Sequence, residues 1–224
     1  MTTGGAPLRF CFDFVSPYAY LAWTQIHALA ARHGRAVEPV PVVFGALLDA
    51  CGQRGPAEIP AKRAYLFKDC VRLADGFGVP FGPPPAHPFN PLLALRASSL
   101  PMPEPTRRAL VDRLFAAAWG GGGGLAGPAE VNEAASAAGL DGAQVVRDAG
   151  AQAIKDRLRR NTDEALAAGA FGVPTTFANG ELFWGVDALG HLERFLEGHD
   201  PVTAEQVARW AALPATAIRR VAGG

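Results

Sequence analysis

The chain lacks a Cys-x-x-Cys pair, an excess of either charge and any apolar run long enough to cross a bilayer, and each gap closes off a class of function. Its three cysteines, Cys11, Cys51 and Cys70, are odd in number and widely spaced. That argues against a disulfide framework and against a zinc site, so each is expected to be a buried thiol and no metal is expected. Twenty-one basic residues balance twenty-one acidic ones, and no basic stripe is interleaved with aromatics. Neither nucleic acid nor a membrane is therefore an expected partner. The opening MTTGGAPLRF has no charged region followed by an apolar stretch, which gives a cytoplasmic reading. What the chain does have is 224 residues, 49% of them hydrophobic, enough for a sizeable core in one domain or in one domain with a large insertion. A small-molecule ligand is the remaining expectation.

Residues 8–44 read as strand (8–15), helix (17–33) and strand (37–44). Both strands are predominantly apolar and only a short helix separates them, which implies a right-handed crossover and parallel pairing. Pro39 and Pro41 belong near a sheet edge, because proline cannot donate to a ladder. From residue 45 to about 168 the pattern turns helical, with helices expected near 46–50, 61–77, 91–100, 105–119, 128–138 and 142–168. The glycine run from Gly120 to Gly124 reads as a flexible loop, either a mobile cover or a plain connector. Strand signals return at 175–178 and 181–184, joined by Asn179-Gly180, a hairpin turn that requires positive φ at both positions. A last helix is expected from Asp187 to about Glu197, with Asp187 a natural N-cap. The outcome is a split α/β domain, residues 1–45 and 169–200, around an all-helical insertion at 46–168, with a helical tail at 201–224.

Two short segments carry chemistry. Ser16-Pro17-Tyr18 lies where the first strand breaks into the first helix, with Ser16 at the N-cap and Pro17 at the first helical position. The first turn of a helix has unpaired N–H groups and a partial positive charge, so an anion is favoured beside Ser16. Val173-Pro174-Thr175 enters the hairpin. A proline opening a strand fits either an ordinary trans bond or a cis turn that leaves the backbone of residue 173 free to pair with a peptide-like ligand.

Five segments in this order, CFDFVSPY (Cys11 to Tyr18), IPAKRAY (Ile59 to Tyr65), HPFNPL (His87 to Leu92), FGVPTTF (Phe171 to Phe177) and NGELFWGVD (Asn179 to Asp187), resemble the 2-hydroxychromene-2-carboxylate isomerases, relatives of the kappa-class glutathione transferases within the DsbA-like group. The resemblance covers residues 8 to 200 or so. It implies a thioredoxin-like fold with a large helical insertion, glutathione as cofactor, a small aromatic-derived substrate and a homodimer. Carried over by position, Ser16 would hydrogen-bond the glutathione sulfur, with Tyr18 beside it, and Val173 before a cis Pro174 would pair with the cysteinyl backbone. Asp187 and the Val186 N–H would take the γ-glutamyl end, and Lys62 the glycine carboxylate. Gln53 stands where the family more often has asparagine. Asn90 would line the electrophile pocket or simply organise a turn. The implied reaction is glutathione-dependent conversion of 2-hydroxychromene-2-carboxylate to trans-o-hydroxybenzylidenepyruvate, a step of naphthalene-type aromatic degradation. A kappa-like transferase or peroxidase and a redox-inactive binding module are the alternatives.

Energies allow a serine to do this work. Lowering a thiol pKa from ~8.5 by ~2 units requires ~2.7 kcal/mol of preferential thiolate stabilisation. A hydrogen bond to a charged group supplies roughly 1.5–3 kcal/mol and a helix N-terminus about 0.3–1 kcal/mol more. Phe183 and Trp184 are expected in the core, and His27, His33, His191 and His199 on helix surfaces or loops.

Overall fold

The computed structural model describes residues 5–217, so the start of the N-terminal segment (1–4) and the end of the tail (218–224) lie outside the described residues. The chain opens as β1 (Leu8–Phe12), α1 (Pro17–Arg32) and β2 (Val37–Pro41). Helices α2 (Phe44–Ala50), α3 (Pro60–Phe77), α4 (Leu92–Ser98), α5 (Glu104–Trp119), α6 (Pro128–Ala137), α7 (Gly142–Asp148) and α8 (Gln152–Ala167) follow. The hairpin β3 (Thr175–Ala178) and β4 (Glu181–Trp184) then leads to α9 (Leu189–Leu196) and α10 (Ala204–Ala211). The strands form one sheet in the order β2-β1-β3-β4, with β1 and β2 parallel and the remaining pairs antiparallel. This is a thioredoxin-like sheet with a helical insertion between β2 and β3.

Alternation along β1 and β2 separates two apolar layers. Leu8, Phe10, Phe12 and Phe14 face α1 and the insertion, and their cluster runs without a break into α5 and α6. The rings of Phe12 and Phe14 lie 5.4 and 4.7 Å from Phe115 on α5, so the insertion shares the core of the sheet domain. Cys11, Val40, Val42 and Phe177 pack on the other face with Leu47 and Ala165. Pro39 and Pro41 sit on the edge strand opposite Phe10 and Phe12. The Pro41 carbonyl is taken up by Asn161 Nδ2 at 3.2 Å, so α8 covers that edge. Asn179 and Gly180 have φ of 52° and 88°, the geometry a tight primed turn demands.

Several local expectations change. The second strand ends at Pro41, and Phe44 begins α2 because its N–H is drawn to Asp13 Oδ2 at 2.9 Å. The stretch 142–168 is two helices, turning between Asp148 and Gln152 where Ala149 is fully buried. Alanine and glycine satisfy either a helix or a corner, so periodicity does not reveal the break. The glycine run is a packed turn. Gly124 N–H bonds Ala117 O at 2.9 Å, Gly82 N–H bonds Trp119 O at 2.7 Å, and a Cβ at Gly122 would fall 2.7 Å from Ala117 Cα. Asp187 does not cap α9, which starts at Leu189 without a side-chain cap bond. Cys51 is exposed while Cys11 and Cys70 are buried, their thiol pKa values pushed up to about 12 chiefly by burial.

Candidate active site

The site begins at the loop between β1 and α1. Ser16 caps α1, its Oγ accepting from Ala19 N–H at 3.2 Å, and it is only 6% exposed. An oxygen that accepts the cap bond keeps its own proton free to donate. The loop behind it is tightly held. Asp13 Oδ1 accepts from Val15 N–H at 3.0 Å, Ser16 N–H bonds Asp13 O at 3.1 Å, and Trp119 Nε1 donates to Phe14 O at 2.8 Å. His87 donates through Nε2 to Val15 O at 3.0 Å.

Ser16 opens onto a cavity of about 550 Å³ that Tyr18, Gln53, Lys62 and Val173 also line. The peptide before Pro174 is cis, and among the described residues no loop backbone group or side chain bonds the N–H or C=O of Val173. Both therefore remain available at the wall. The Tyr18 hydroxyl is committed to Asp69 Oδ2 at 2.9 Å, so Tyr18 offers the cavity its ring; burial, with Asp69 beside it, raises its pKa. Gln53 follows α2, anchored through its N–H to Leu48 O at 2.9 Å with its side chain exposed. Lys62 lies in the first turn of α3, exposed and in no ion pair among the described residues. A cation there adds to the positive end of the helix dipole, so an anion at that rim is favoured twice over.

Pro174, Val186, Asp187 and Asn90 do not line the cavity. Asn90 is exposed and its Oδ1 accepts from Leu92 N–H at 3.0 Å, organising the entry to α4. Val186 is buried and Asp187 exposed, its carboxylate folded back over Gly185, whose φ of 94° and missing Cβ make the room.

Trp184, expected in the core, is 52% exposed and lines the cavity. On edge strand β4 successive side chains alternate, so Phe183 turns to Phe195 on α9 and Trp184 to the other face, where its ring lies 5.0 Å from Phe171. With Phe44, Leu48, Phe89 and Leu92 this pair gives the cavity an apolar wall suited to a flat ring.

Sequence reasoning passed over Asp13 and His87. Asp13 is 1% exposed and joins two loops through its bonds to Val15 and Phe44; burial raises its pKa to about 6 against those two bonds. A carboxylate set directly between the apolar runs Phe10-Cys11-Phe12 and Phe14-Val15 was the available signal. His87 lines the cavity, its ring edge-on to Phe67 and Trp119, and burial lowers its pKa. A second cavity of about 170 Å³ lies along the outer edge of β2. Arg9 there reaches Glu38 at 3.7 Å and Glu164 at 3.8 Å, so it is a self-satisfied surface network.

A hydroxyl at the head of α1, sharing its cavity with the residue before a cis proline in a β2-β1-β3-β4 sheet, has the layout of a thioredoxin-fold site with serine at the start of the first helix. Residues 8–197 match the DSBA-like thioredoxin domain. The 2-hydroxychromene-2-carboxylate isomerase of Sphingobium xenophagum is 30% identical over 193 residues, covering 84% of this chain and 97% of the relative. Glutathione S-transferase kappa 1 of Rattus norvegicus is 26% identical over 189 residues, covering 79% and 83%. A solved 2-hydroxychromene-2-carboxylate isomerase superposes with a TM-score of 0.79 at 26% identity, covering 92% of this chain and 97% of that one. The chain belongs to the DSBA-like thioredoxin family and, within it, to the 2-hydroxychromene-2-carboxylate isomerases, which makes it an enzyme of the isomerase class.

Proposed function

We propose that this chain is a glutathione-dependent isomerase that converts 2-hydroxychromene-2-carboxylate to trans-o-hydroxybenzylidenepyruvate. The observation that carries the reading is the Ser16 hydroxyl, capped onto α1 and sharing one cavity with the unbonded backbone of Val173. These groups suit a tripeptide thiol. Ser16 with the first turn of α1 favours an anionic sulfur, Val173 can pair with a peptide backbone, and Lys62 and Gln53 at the rim can meet a carboxylate. Val186 N–H and Asp187, on the loop after Trp184, are our candidates for the γ-glutamyl end.

Glutathione, when bound, supplies a reversible sulfur nucleophile. Ser16 donates to that sulfur and lowers its basicity. Phe171, Trp184, Phe89 and Leu92 hold the aromatic ring and exclude water, and Lys62 adds positive potential for a carboxylate substrate. By stabilising the thiolate, Ser16 and the first turn of α1 would let solvent take the thiol proton. The same reading carries with it a cytoplasmic homodimer acting in naphthalene-type aromatic degradation.

A kappa-like transferase is the second reading, favoured by the resemblance to the rat kappa enzyme. Turnover of 2-hydroxychromene-2-carboxylate with and without glutathione, with free thiol counted before and after, decides between them. The isomerase requires glutathione and consumes none. Stoichiometric loss of thiol would establish the transferase, and turnover unaffected by glutathione would reject both.

A further inference from the structure

We propose that His87 is a positioning residue for Ser16, acting through the peptide group between Val15 and Ser16. That peptide is held at both ends: its carbonyl, Val15 O, takes the His87 bond at 3.0 Å, and its N–H, on Ser16, bonds Asp13 O at 3.1 Å. Rotation of this plane swings the Ser16 Cα–Cβ direction, and with it the hydroxyl, across the head of α1. A single bond would leave the plane free to rock about it. The second bond, from a side chain contributed by the insertion, removes that freedom.

The tautomer follows from the partner. A carbonyl oxygen only accepts, so Nε2 carries the proton and Nδ1 is the unprotonated nitrogen. Nδ1 is buried with no partner among the described residues. The ring is gripped edge-on by Phe67 at 5.4 Å and Trp119 at 5.2 Å. Trp119 in turn donates to Phe14 O, one residue upstream, so the same aromatic stack fixes two successive carbonyls of the loop. With Nδ1 buried and Nε2 committed to Val15 O, the ring's role is to hold the loop.

The inference rests on reading Ser16 as the group that holds the glutathione sulfur. Two variants test it: His87→Phe keeps the ring packing and loses the donor, and His87→Gln restores a donor near the Nε2 position. Glutathione is titrated with each protein and thiolate absorbance is followed against pH. His87→Phe should raise the bound thiol pKa by about one unit and lower kcat about tenfold, the effect of losing roughly one hydrogen bond, with KM for the chromene substrate moving far less. His87→Gln should recover most of both. Equal loss in the two variants, or a normal thiol pKa in His87→Phe, overturns the proposal. If wild type itself leaves the thiol pKa of glutathione unchanged, the functional reading fails instead, and the two failures are told apart. Should His87→Phe not fold, nitrogen NMR of wild-type His87 decides: a protonated Nε2 in a hydrogen bond supports the role, and a protonated Nδ1 rejects it.

Discussion

At the Ser16 end of the cavity, the carbonyls of Asp13, Phe14 and Val15 and the amides of Val15 and Ser16 all have partners inside the protein. At the other end, Gln53 and Lys62 project from exposed positions, and the described residues give their side chains no hydrogen-bond or ionic partner. The first end is ordered before a ligand arrives, so its groups act on charge without a cost of alignment at the moment of reaction. The second must give up side-chain freedom on binding, about 1.5–2 kcal/mol for a lysine or glutamine held in one rotamer. Chemistry is therefore expected to be sensitive at the Ser16 end and affinity to be tuned softly at the rim.

The largest effect tests how firmly the ordered end is built. Asp13 titrates near 6 in the folded protein against 3.8 for the free side chain. A raised acid pKa means that the folded state holds the proton more tightly. Its stabilising contribution is complete below about pH 4 and is lost as pH rises through 6. Asp13→Asn removes that dependence, so the stability of wild type relative to the variant should fall by about 3 kcal/mol between pH 3 and pH 7. Denaturant melts at both pH values measure it, and a pH-independent difference would show that Asp13 is not the buried acid described.

Ser16→Ala comes next. Losing the donor should raise the bound thiol pKa by about two units and slow turnover about a hundredfold, equivalent to ~2.7 kcal/mol. Loss of the helix cap costs a further ~1 kcal/mol of stability. If thiolate titration and turnover both stayed at wild-type values, the ordered end would be structural only.

Asp187→Asn should weaken glutathione about tenfold by calorimetry, the loss of one charge-assisted contact. Because Asp187 caps no helix, the melting temperature should hardly move. Unchanged affinity would remove Asp187 from the site. The smallest effect belongs to the rim: Lys62→Gln should raise the glutathione dissociation constant only two- to fivefold, roughly 0.4–1 kcal/mol. That difference should shrink in high salt. A loss as large as that of Ser16→Ala would break the contrast between the two ends.

What the sequence by itself determined is what neighbouring residues decide among themselves. Ser16 and Pro17 set the start of α1, Asn179-Gly180 set the hairpin, and Pro39 and Pro41 kept β2 at the edge, because caps, positive φ and missing donors act within a few residues. Tertiary structure alone decided the rest. Whether Gly120 to Gly124 would swing or pack depended on the approach of the loop at Gly82. Which face Trp184 would show depended on β4 lying at the sheet edge under α9. The clamp on Ser16 adds His87 and Trp119, from two distant parts of the chain, to the local bonds of Asp13. Apart from the Asp13 bonds, each of those contacts is a register between elements far apart in sequence, and no local pattern carries that register; packing of the shared core brings it about.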